Sequence, residues 1–187
     1  KKNQTFSILL TGIKTARASV LTSLLNKCLR DEWFAGVQAV IEAGADPNER
    51  GSADRAPLHL AVTTSADNFL DYLLSLPTID VNKLGTPEKS SALFYVTSTP
   101  RLKKLLDAGA DVNIVNTNGY NALTFLLMLR SNSSNHEFIK LLLNKGIDVN
   151  LKPPYGETPV QSAMKREDFK LFALLCNAGA QDPECHP

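Results

Sequence analysis

Hydrophobic residues in this chain fall into short runs that alternate with polar segments. In HEFIKLLLNK, residues 136–145, the apolar positions recur at helical spacing on one face. The preceding run, NALTFLLML at residues 121–129, begins with Asn121, whose side chain can accept a hydrogen bond from a free backbone N–H at a helix start. The pattern predicts two short helices joined by a polar loop, SNSSN, at residues 131–135.

A stop signal, GIDVN, follows the second of these helices. Gly146 allows the helix to end with the backbone in a left-handed conformation, which glycine adopts without a Cβ penalty. Asp148 and Asn150 then supply side-chain acceptors and donors for a tight turn. We expect the helix to end and the chain to change direction at this point.

The same signal recurs along the chain at intervals of 34, 31, 37 and 33 residues. Similar sequence segments that recur at such an interval are typical of a solenoid, in which each repeat packs against its neighbours. The occurrences are GADPN from Gly44, TIDVN from Thr78, GADVN from Gly109, GIDVN from Gly146 and GAQDP from Gly179. The predicted repeats span about 23–48, 49–82, 83–113, 114–150 and 151–183, and residues 1–22 form an N-terminal helix or cap or the remnant of an upstream region.

The segment that opens each first helix is also self-similar. The openers are RAPLHLAV at 55–62, SSALFYV at 90–96, GYNALTFL at 119–126 and GETPVQSA at 156–163. Together with the five endings, they resemble the ankyrin-repeat family over about residues 23–182. The resemblance implies that residues 23–187 form an all-α ankyrin-repeat solenoid of stacked helix–turn–helix repeats with β-hairpin loops, the outer two acting as caps. It also implies a structural hydrogen-bonding role between adjacent hairpins for His59.

The second repeat departs from this pattern at its ending, SLPTID. Thr78 replaces the usual glycine, and Pro77 lies near the end of the helix. Because proline removes a backbone donor and clashes with the preceding turn, we expect this second helix to stop early.

Composition and charge narrow the class of partner. The chain has 187 residues, 43% of them hydrophobic and 21% charged, with a formal net charge of +1. No run of lysines or arginines occurs, so a nucleic-acid partner is not expected. No apolar stretch approaches the roughly 20 residues that span a bilayer, so no membrane partner is expected either. We expect a monomer.

The cysteines and the N-terminus bear on localisation. The chain has three cysteines, Cys28, Cys176 and Cys185. An odd number of cysteines without paired spacing fits a reducing compartment better than a disulfide framework. The first two lie among leucines and are interpreted as small buried hydrophobes, and the third as part of a tail. The apolar stretch at residues 6–13 is short and interrupted, which favours a weak amphipathic helix over a signal peptide. The predicted localisation is cytoplasmic.

Catalytic motifs are missing from the sequence. No G-x-S-x-G, P-loop, H-E-x-x-H or G-x-G-x-x-G segment occurs, and ECHP at the C-terminus lacks the ligand spacing of a zinc site. The repeat register accounts for nearly every residue from position 23 onward, which leaves no room for a separate catalytic fold. We therefore predict a protein that is not an enzyme and has no catalytic residues, no cofactor and no metal site.

The resemblance implies a concave protein-binding face made of hairpin tips and first helices. Tyr120, Met128, Tyr155 and Arg166 are its most distinctive members, because tyrosine and arginine are enriched in binding hot spots and methionine adapts to irregular partners. The main hypothesis is a non-catalytic protein–protein interaction module, or scaffold, whose partner is another protein. An equal alternative for Met128 and Leu129 is that they pack under the SNSSN loop. The full predicted partner-binding set is Arg55, Thr117, Asn118, Tyr120, Met128, Tyr155, Glu157, Lys165 and Arg166.

Two further functions stay open. Irregular repeats and the missing initiator methionine would also suit the targeting module of a larger enzyme, or a secreted bacterial effector that acts on host proteins in the host cytosol. The resemblance also implies that Asn82, Asn113 and Asn150 are candidate substrates of an asparaginyl hydroxylase, which modifies ankyrin-repeat asparagines in this DVN setting.

Overall fold

The computed structural model describes residues 18–51, 54–85, 88–129 and 136–185. The predicted N-terminal amphipathic segment, the SNSSN loop and His186 lie outside these ranges. The described residues form nine α-helices and no β-strand, which confirms the all-α solenoid; the connecting loops are built from turns. The chain divides into two compact units, residues 1–87 and 88–187, which we call the N-terminal and C-terminal units.

The N-terminal unit contains two helix pairs. They are α1 (Ala18–Arg30), α2 (Phe34–Glu42), α3 (Pro57–Ala61) and α4 (Asp67–Ser75). Helix α1 packs on both α2 and α3, and α3 packs on α4, so neighbouring repeats are stacked through their first helices. The first described helix begins at Ala18, inside the segment that was predicted to precede the repeats.

The C-terminal unit contains the remaining helices. They are the 3₁₀ helix η1 (Ala92–Tyr95), α5 (Thr99–Asp107), α6 (Ala122–Leu129), α7 (His136–Asn144), α8 (Pro159–Lys165), α9 (Phe169–Asn177) and the 3₁₀ helix η2 (Pro183–Cys185). First helices stack on first helices, as α6 does on α8, and second helices stack on second helices, as α5 and α9 both do on α7.

The stop signals work as predicted. Gly44, Gly109, Gly146 and Gly179 have φ values of 101°, 90°, 77° and 92°, the left-handed region in which an L side chain is strained. Helix α4, which lacks such a glycine, ends at Ser75, and Leu76 is already extended with ψ 130°. The early stop expected from Pro77 and Thr78 is confirmed.

Two first helices begin with reciprocal side-chain caps. The backbone N–H of Thr124 donates to Oδ1 of Asn121 at 2.9 Å, which confirms Asn121 as the N-cap of α6. In the next repeat, the N–H of Gln161 donates to Oγ1 of Thr158 at 3.2 Å, and Gln161 Oε1 accepts from the Thr158 N–H at 3.1 Å. Such capping boxes satisfy helix N–H groups that would otherwise lack a partner.

Each unit has an apolar core made largely of leucine. Complete burial of one such side chain stabilises the fold by about 1.5–3 kcal/mol. The largest fully buried side chains are Leu25, Leu29, Leu58, Phe69, Leu70 and Leu73 in the N-terminal unit and Leu102, Leu105, Leu123, Ile139, Leu142 and Leu171 in the C-terminal unit. The predicted apolar face of the second helices is therefore the face that packs.

The third repeat has the weakest first helix. Its opener, SSALFYV, forms only the four-residue 3₁₀ helix η1, without a side-chain cap. An apolar cavity of about 60 Å³ lies beside it, and Phe94, Phe125 and Phe138 contribute to its lining.

The cysteine interpretation is correct for one residue and wrong for two. Cys28 is a buried free thiol, as expected. Cys176 and Cys185, in contrast, form a disulfide across nine residues, with Cα atoms 5.2 Å apart. The chain reverses after α9, and η2 is held by a hydrogen bond from the Cys185 N–H to the Asp182 carbonyl at 2.9 Å, which brings the two thiols together. Cysteine spacing is therefore no argument for a reducing compartment.

Candidate functional site

In the C-terminal unit, the asparagines of two stop signals each link one hairpin loop to the next. Asn113 donates from Nδ2 to the carbonyl of Gly146 at 3.0 Å and accepts from the N–H of Asp148 at 2.8 Å. Asn150 makes the same pair of bonds to Gly179 and Gln181, at 3.3 and 2.7 Å. Two bonds from one amide fix both the spacing and the direction of adjacent loops.

Asn48 makes the same two bonds in the N-terminal unit, to the Thr78 carbonyl and the Asp80 N–H, both at 2.7 Å. Sequence reasoning did not assign it a linking role. The signal was nevertheless present, because GADPN contains this asparagine at the same position as the other stop signals.

The hairpin tips of the fourth and fifth repeats lie against each other. A Cβ atom added to Gly119 would lie 2.4 Å from Cδ of Pro154, so the two loops touch where a side chain would not fit. The tip of the fourth repeat is also braced internally, because Oδ1 of buried Asn116 accepts from the N–H groups of Asn118 and Tyr120, both at 3.0 Å. These tips form a rigid support for the side chains that project from them.

The two predicted tyrosines differ in exposure. Tyr155 is 98% exposed, on the tip beside Pro154. Tyr120 is half-buried, with its ring edge-to-face on Phe125 at a centroid distance of 6.4 Å. Tyr155 is therefore available to a partner over its whole ring, whereas Tyr120 offers only part of its side chain.

The polar members of the predicted set are mostly engaged within the protein. Lys165 donates to Oε1 of Glu157 at 2.7 Å across the fifth repeat. An exposed pair of this kind contributes little to stability, about 0.2–1 kcal/mol. Thr117 is exposed, and its N–H donates to the carbonyl of Glu88 at 2.8 Å, which ties its loop to the preceding one.

Met128 and Arg166 lie at the far end of the first helices from the tyrosines. Helix α6 has eight residues and is about 12 Å long, so Met128 is separated from the tip by the length of that helix. Nη2 of Arg166 donates to the carbonyl of Leu127, which holds this guanidinium against the fourth repeat. Met128 and Leu129 are both exposed, at 50% and 61%.

Arg55 belongs to the N-terminal unit, where it is half-buried and its carbonyl accepts from the Gly51 N–H at 3.1 Å. The other eight predicted residues belong to the C-terminal unit. The structure therefore gathers Thr117, Asn118, Tyr120, Tyr155 and Glu157 around two adjacent tips, and it places Met128, Lys165 and Arg166 toward the ends of the first helices.

Two groups of the N-terminal unit have a raised pKa. Burial raises the pKa of the Cys28 thiol, and the negative charge of Asp31 raises it further. Burial likewise raises the pKa of the Tyr72 phenol, with Glu42 as a second cause. Both groups are packed between helices, and neither belongs to the hairpin tips.

The described residues contain no cluster of three or more His, Cys, Asp or Glu side chains able to hold a metal ion. Among the helices of these residues, none is both long enough and apolar enough to cross a membrane.

Comparison with known proteins establishes the family. A family model for ankyrin repeats, in three copies, matches residues 90–185. The chain therefore belongs to the ankyrin-repeat family. Ankyrin repeats generally mediate protein–protein interaction, and proteins of this family are typically non-catalytic.

Each relative matches this chain over only part of its own length. Ankyrin repeat protein R664 of Acanthamoeba polyphaga mimivirus is 36% identical over 77 residues, covering 41% of this chain and 48% of the relative. Human Rabankyrin-5 is 25% identical over 166 residues, covering 76% and 14%. Human ankyrin repeat and SOCS box protein 6 is 34% identical over 151 residues, covering 68% and 36%. The chain spans less than half the length of each of these relatives.

Proposed function

We propose that this chain is a non-catalytic binding module whose partner protein contacts the hairpin tips and first helices of the fourth and fifth repeats. The observation that carries the proposal is the near-complete exposure, 98%, of Tyr155. A large aromatic side chain on a braced tip supplies contact area at a small loss of conformational entropy, because the loop is already fixed.

The surroundings of Tyr155 suit a binding surface. Pro154 packs on Gly119, and the Asn150 amide holds the base of the following loop, so the ring projects from a rigid frame. Tyr120 supplies a half-exposed second aromatic on the neighbouring tip. The Glu157–Lys165 pair would form part of the polar rim, where exposed charges contribute more to specificity than to affinity.

The test is capture of partners from a eukaryotic lysate by the intact chain, followed by affinity measurement with each purified partner. Replacement of both tyrosines (Tyr120→Ala, Tyr155→Ala) should weaken binding by about 2 kcal/mol or more if they are hot spots. Val20→Ala is the control, because Val20 is an exposed apolar residue of the N-terminal unit that belongs to neither tip. A partner that is retained by the folded double-tyrosine variant and lost by the control variant would overturn the proposal.

This chain matches only part of each relative, which favours a variant of this function in which the repeats belong to a longer protein. Because the chain spans 14% of Rabankyrin-5 and 36% of ankyrin repeat and SOCS box protein 6, it would also suit the targeting module of a larger enzyme or effector. In that variant the tips would hold the substrate protein of another domain. Sequencing the complete transcript tests this variant, and an open reading frame limited to the repeats would exclude it.

A further inference from the structure

The turn between the two helices of the fifth repeat reproduces the turn of the first repeat. Glu32 and Glu167 both adopt the left-handed conformation, with φ values of 49° and 55°. Each precedes by two positions a phenylalanine, Phe34 or Phe169, that begins a nine-residue helix. The two turns therefore present a carboxylate and an aromatic ring in equivalent positions.

In the first repeat these two side chains hold the following repeat. The backbone N–H of Ser65 donates to Oε1 of Glu32 at 2.8 Å, and the hydroxyl of Ser65 donates to Oε2. The ring of Phe34 packs edge-to-face on Phe69 and Tyr72, at centroid distances of 5.5 and 5.7 Å. The carboxylate thus accepts hydrogen bonds from the residue just before α4, where the helix dipole also favours negative charge. The ring packs on the helix itself.

The fourth repeat uses the equivalent position in the same way. His136 is the first residue of α7, as Phe34 is of α2. Its Nε2 lies 2.9 Å from Oδ1 of Asp168, the N-cap residue of α9 in the next repeat. In two repeats of different sequence, the first residue of the second helix therefore contacts the repeat that follows.

In the fifth repeat the equivalent side chains are exposed. Phe169 is 78% exposed, and Glu167 is also exposed. Met164 is 41% exposed, although its counterpart six residues after the N-cap of the fourth repeat, Leu127, is buried at 3%. A surface that matches an internal repeat interface is thus turned outward, which is unusual for side chains of this size.

We propose that Met164, Glu167 and Phe169 form a docking surface for a helix of a partner protein. The partner helix should carry serine or threonine just before its first turn and aromatic residues four and seven positions later. This spacing is that of Ser65, Phe69 and Tyr72, and positions four and seven apart lie on one helical face. The surface continues the geometry of the internal interface between the first and second repeats.

A second copy of this chain is not the expected occupant of this surface. In the folded chain, Ser65 already donates to Glu32, and Phe69 and Tyr72 already pack on Phe34. A second copy would have to give up these contacts in order to offer the matching helix. The surface is also distinct from the hairpin tips, so it can be tested independently of them.

The test uses a helical peptide with the sequence of residues 64–76, TSADNFLDYLLSL, as the probe. An isolated helix of this length is marginal in water, so a hydrocarbon staple should replace the exposed side chains at positions 68 and 75. The intact chain is labelled with ¹³C at its methionine methyl groups. It contains two methionines, so Met164 reports on the proposed surface and Met128 serves as an internal reference.

We expect the Met164 methyl resonance to shift on titration while that of Met128 stays in place. Phe169→Ala should weaken binding about tenfold or more, and Glu167→Gln, which keeps the side-chain shape, by a few fold. A peptide with Ser65→Ala and Phe69→Ala is the matched control on the ligand side and should not bind. Because both altered protein side chains are exposed, the thermal midpoint should be unchanged.

Three outcomes would overturn the proposal. They are an unmoved Met164 resonance at millimolar peptide, an equal response in the Phe169→Ala variant, and a shift confined to Met128, which would locate binding at the other surface.

Discussion

The second and fourth repeats open their first helices with different chemistry, although the openers occupy the same position. In the fourth repeat, Asn121 caps α6 and its Nδ2 also donates to the carbonyl of Asp148 in the next loop, at 3.0 Å. In the second repeat, Ala56 provides no side-chain cap and α3 has only five residues. His59 is fully buried there, and the backbone of Gly85 approaches its ring closely.

The difference shows what the repeat architecture requires of this position. The loop of the following repeat has to be held close to the start of the first helix, and the two repeats do this with different side chains. The Asn121 amide caps its helix and also bonds to the next loop. In the second repeat, the His59 imidazole lies three residues after the N-cap position. It fills the space beside the next loop, so the facing residue, Gly85, has to be a glycine. Substitutions at this position should therefore destabilise the two repeats for different physical reasons.

The largest effect is expected at Asn121. This residue is 1% exposed, and its Oδ1 accepts from the Thr124 N–H at 2.9 Å and from the Thr124 hydroxyl at 3.0 Å. Asn121→Ala removes the cap and the link to Asp148, and it leaves buried polar groups without partners. We expect a loss of about 3 kcal/mol in the free energy of unfolding, measured by urea denaturation.

Asn121→Ser separates the two roles. Serine keeps a capping oxygen without burying a charge and lacks the Nδ2 donor, so it should retain the cap and lose the link to Asp148. If Asn121→Ser and Asn121→Ala destabilise the protein equally, the cap contributes nothing to the stability of the fourth repeat.

A smaller effect is expected at Gly85. A Cβ atom there would lie 3.0 Å from Nε2 of His59, closer than ordinary van der Waals contact. We expect Gly85→Ala to destabilise the N-terminal unit by about 2 kcal/mol, as overpacking against a buried side chain does. Thermal unfolding checks this, with Gly44→Ala as a control whose added Cβ meets nothing within 4 Å and whose effect comes only from its φ of 101°. Full stability of Gly85→Ala would show that the imidazole can move away.

The sequence predicted the helices and their ends well because these depend on local chemistry. Gly146 marks the end of α7 and Asn121 the start of α6 through groups within a few residues. Tyr155 was also assigned correctly to an exposed tip, since its position follows from the repeat register.

Features that depend on chain reversal or on the next repeat were not predicted. The Cys176–Cys185 bond requires the turn at η2, and no periodic pattern in the sequence encodes that turn. The exposure of Phe169 was missed because the equivalent position of the first repeat is covered by α4, and only the structure shows whether a neighbour is present. Tertiary context, rather than local propensity, decides both features.

A still smaller effect, of opposite sign, is expected from Ala56→Thr. This change gives the second repeat the capping hydroxyl that Thr158 supplies in the fifth, where the Gln161 N–H donates to it at 3.2 Å. We expect a gain of about 1 kcal/mol in the free energy of unfolding. Ala56→Val, which adds similar volume without the hydroxyl, is the matched control. Equal effects of the two variants would mean that packing, not capping, governs this position.

The last prediction concerns the chemical reactivity of the cysteines in the two units rather than the free energy of unfolding. Cys28 is buried, and burial together with Asp31 raises the pKa of its thiol, so at pH 8 it holds less of the reactive thiolate than an ordinary cysteine. Iodoacetamide should therefore add no group to the native oxidised chain. It should add two after mild reduction of the Cys176–Cys185 bond and a third only in denaturant, as counted by intact mass. One added group before reduction would show that Cys28 is accessible, and three after mild reduction alone would show that the N-terminal unit opens together with the C-terminal disulfide. Either result would contradict the separation of a packed thiol in one unit from a covalent closure in the other.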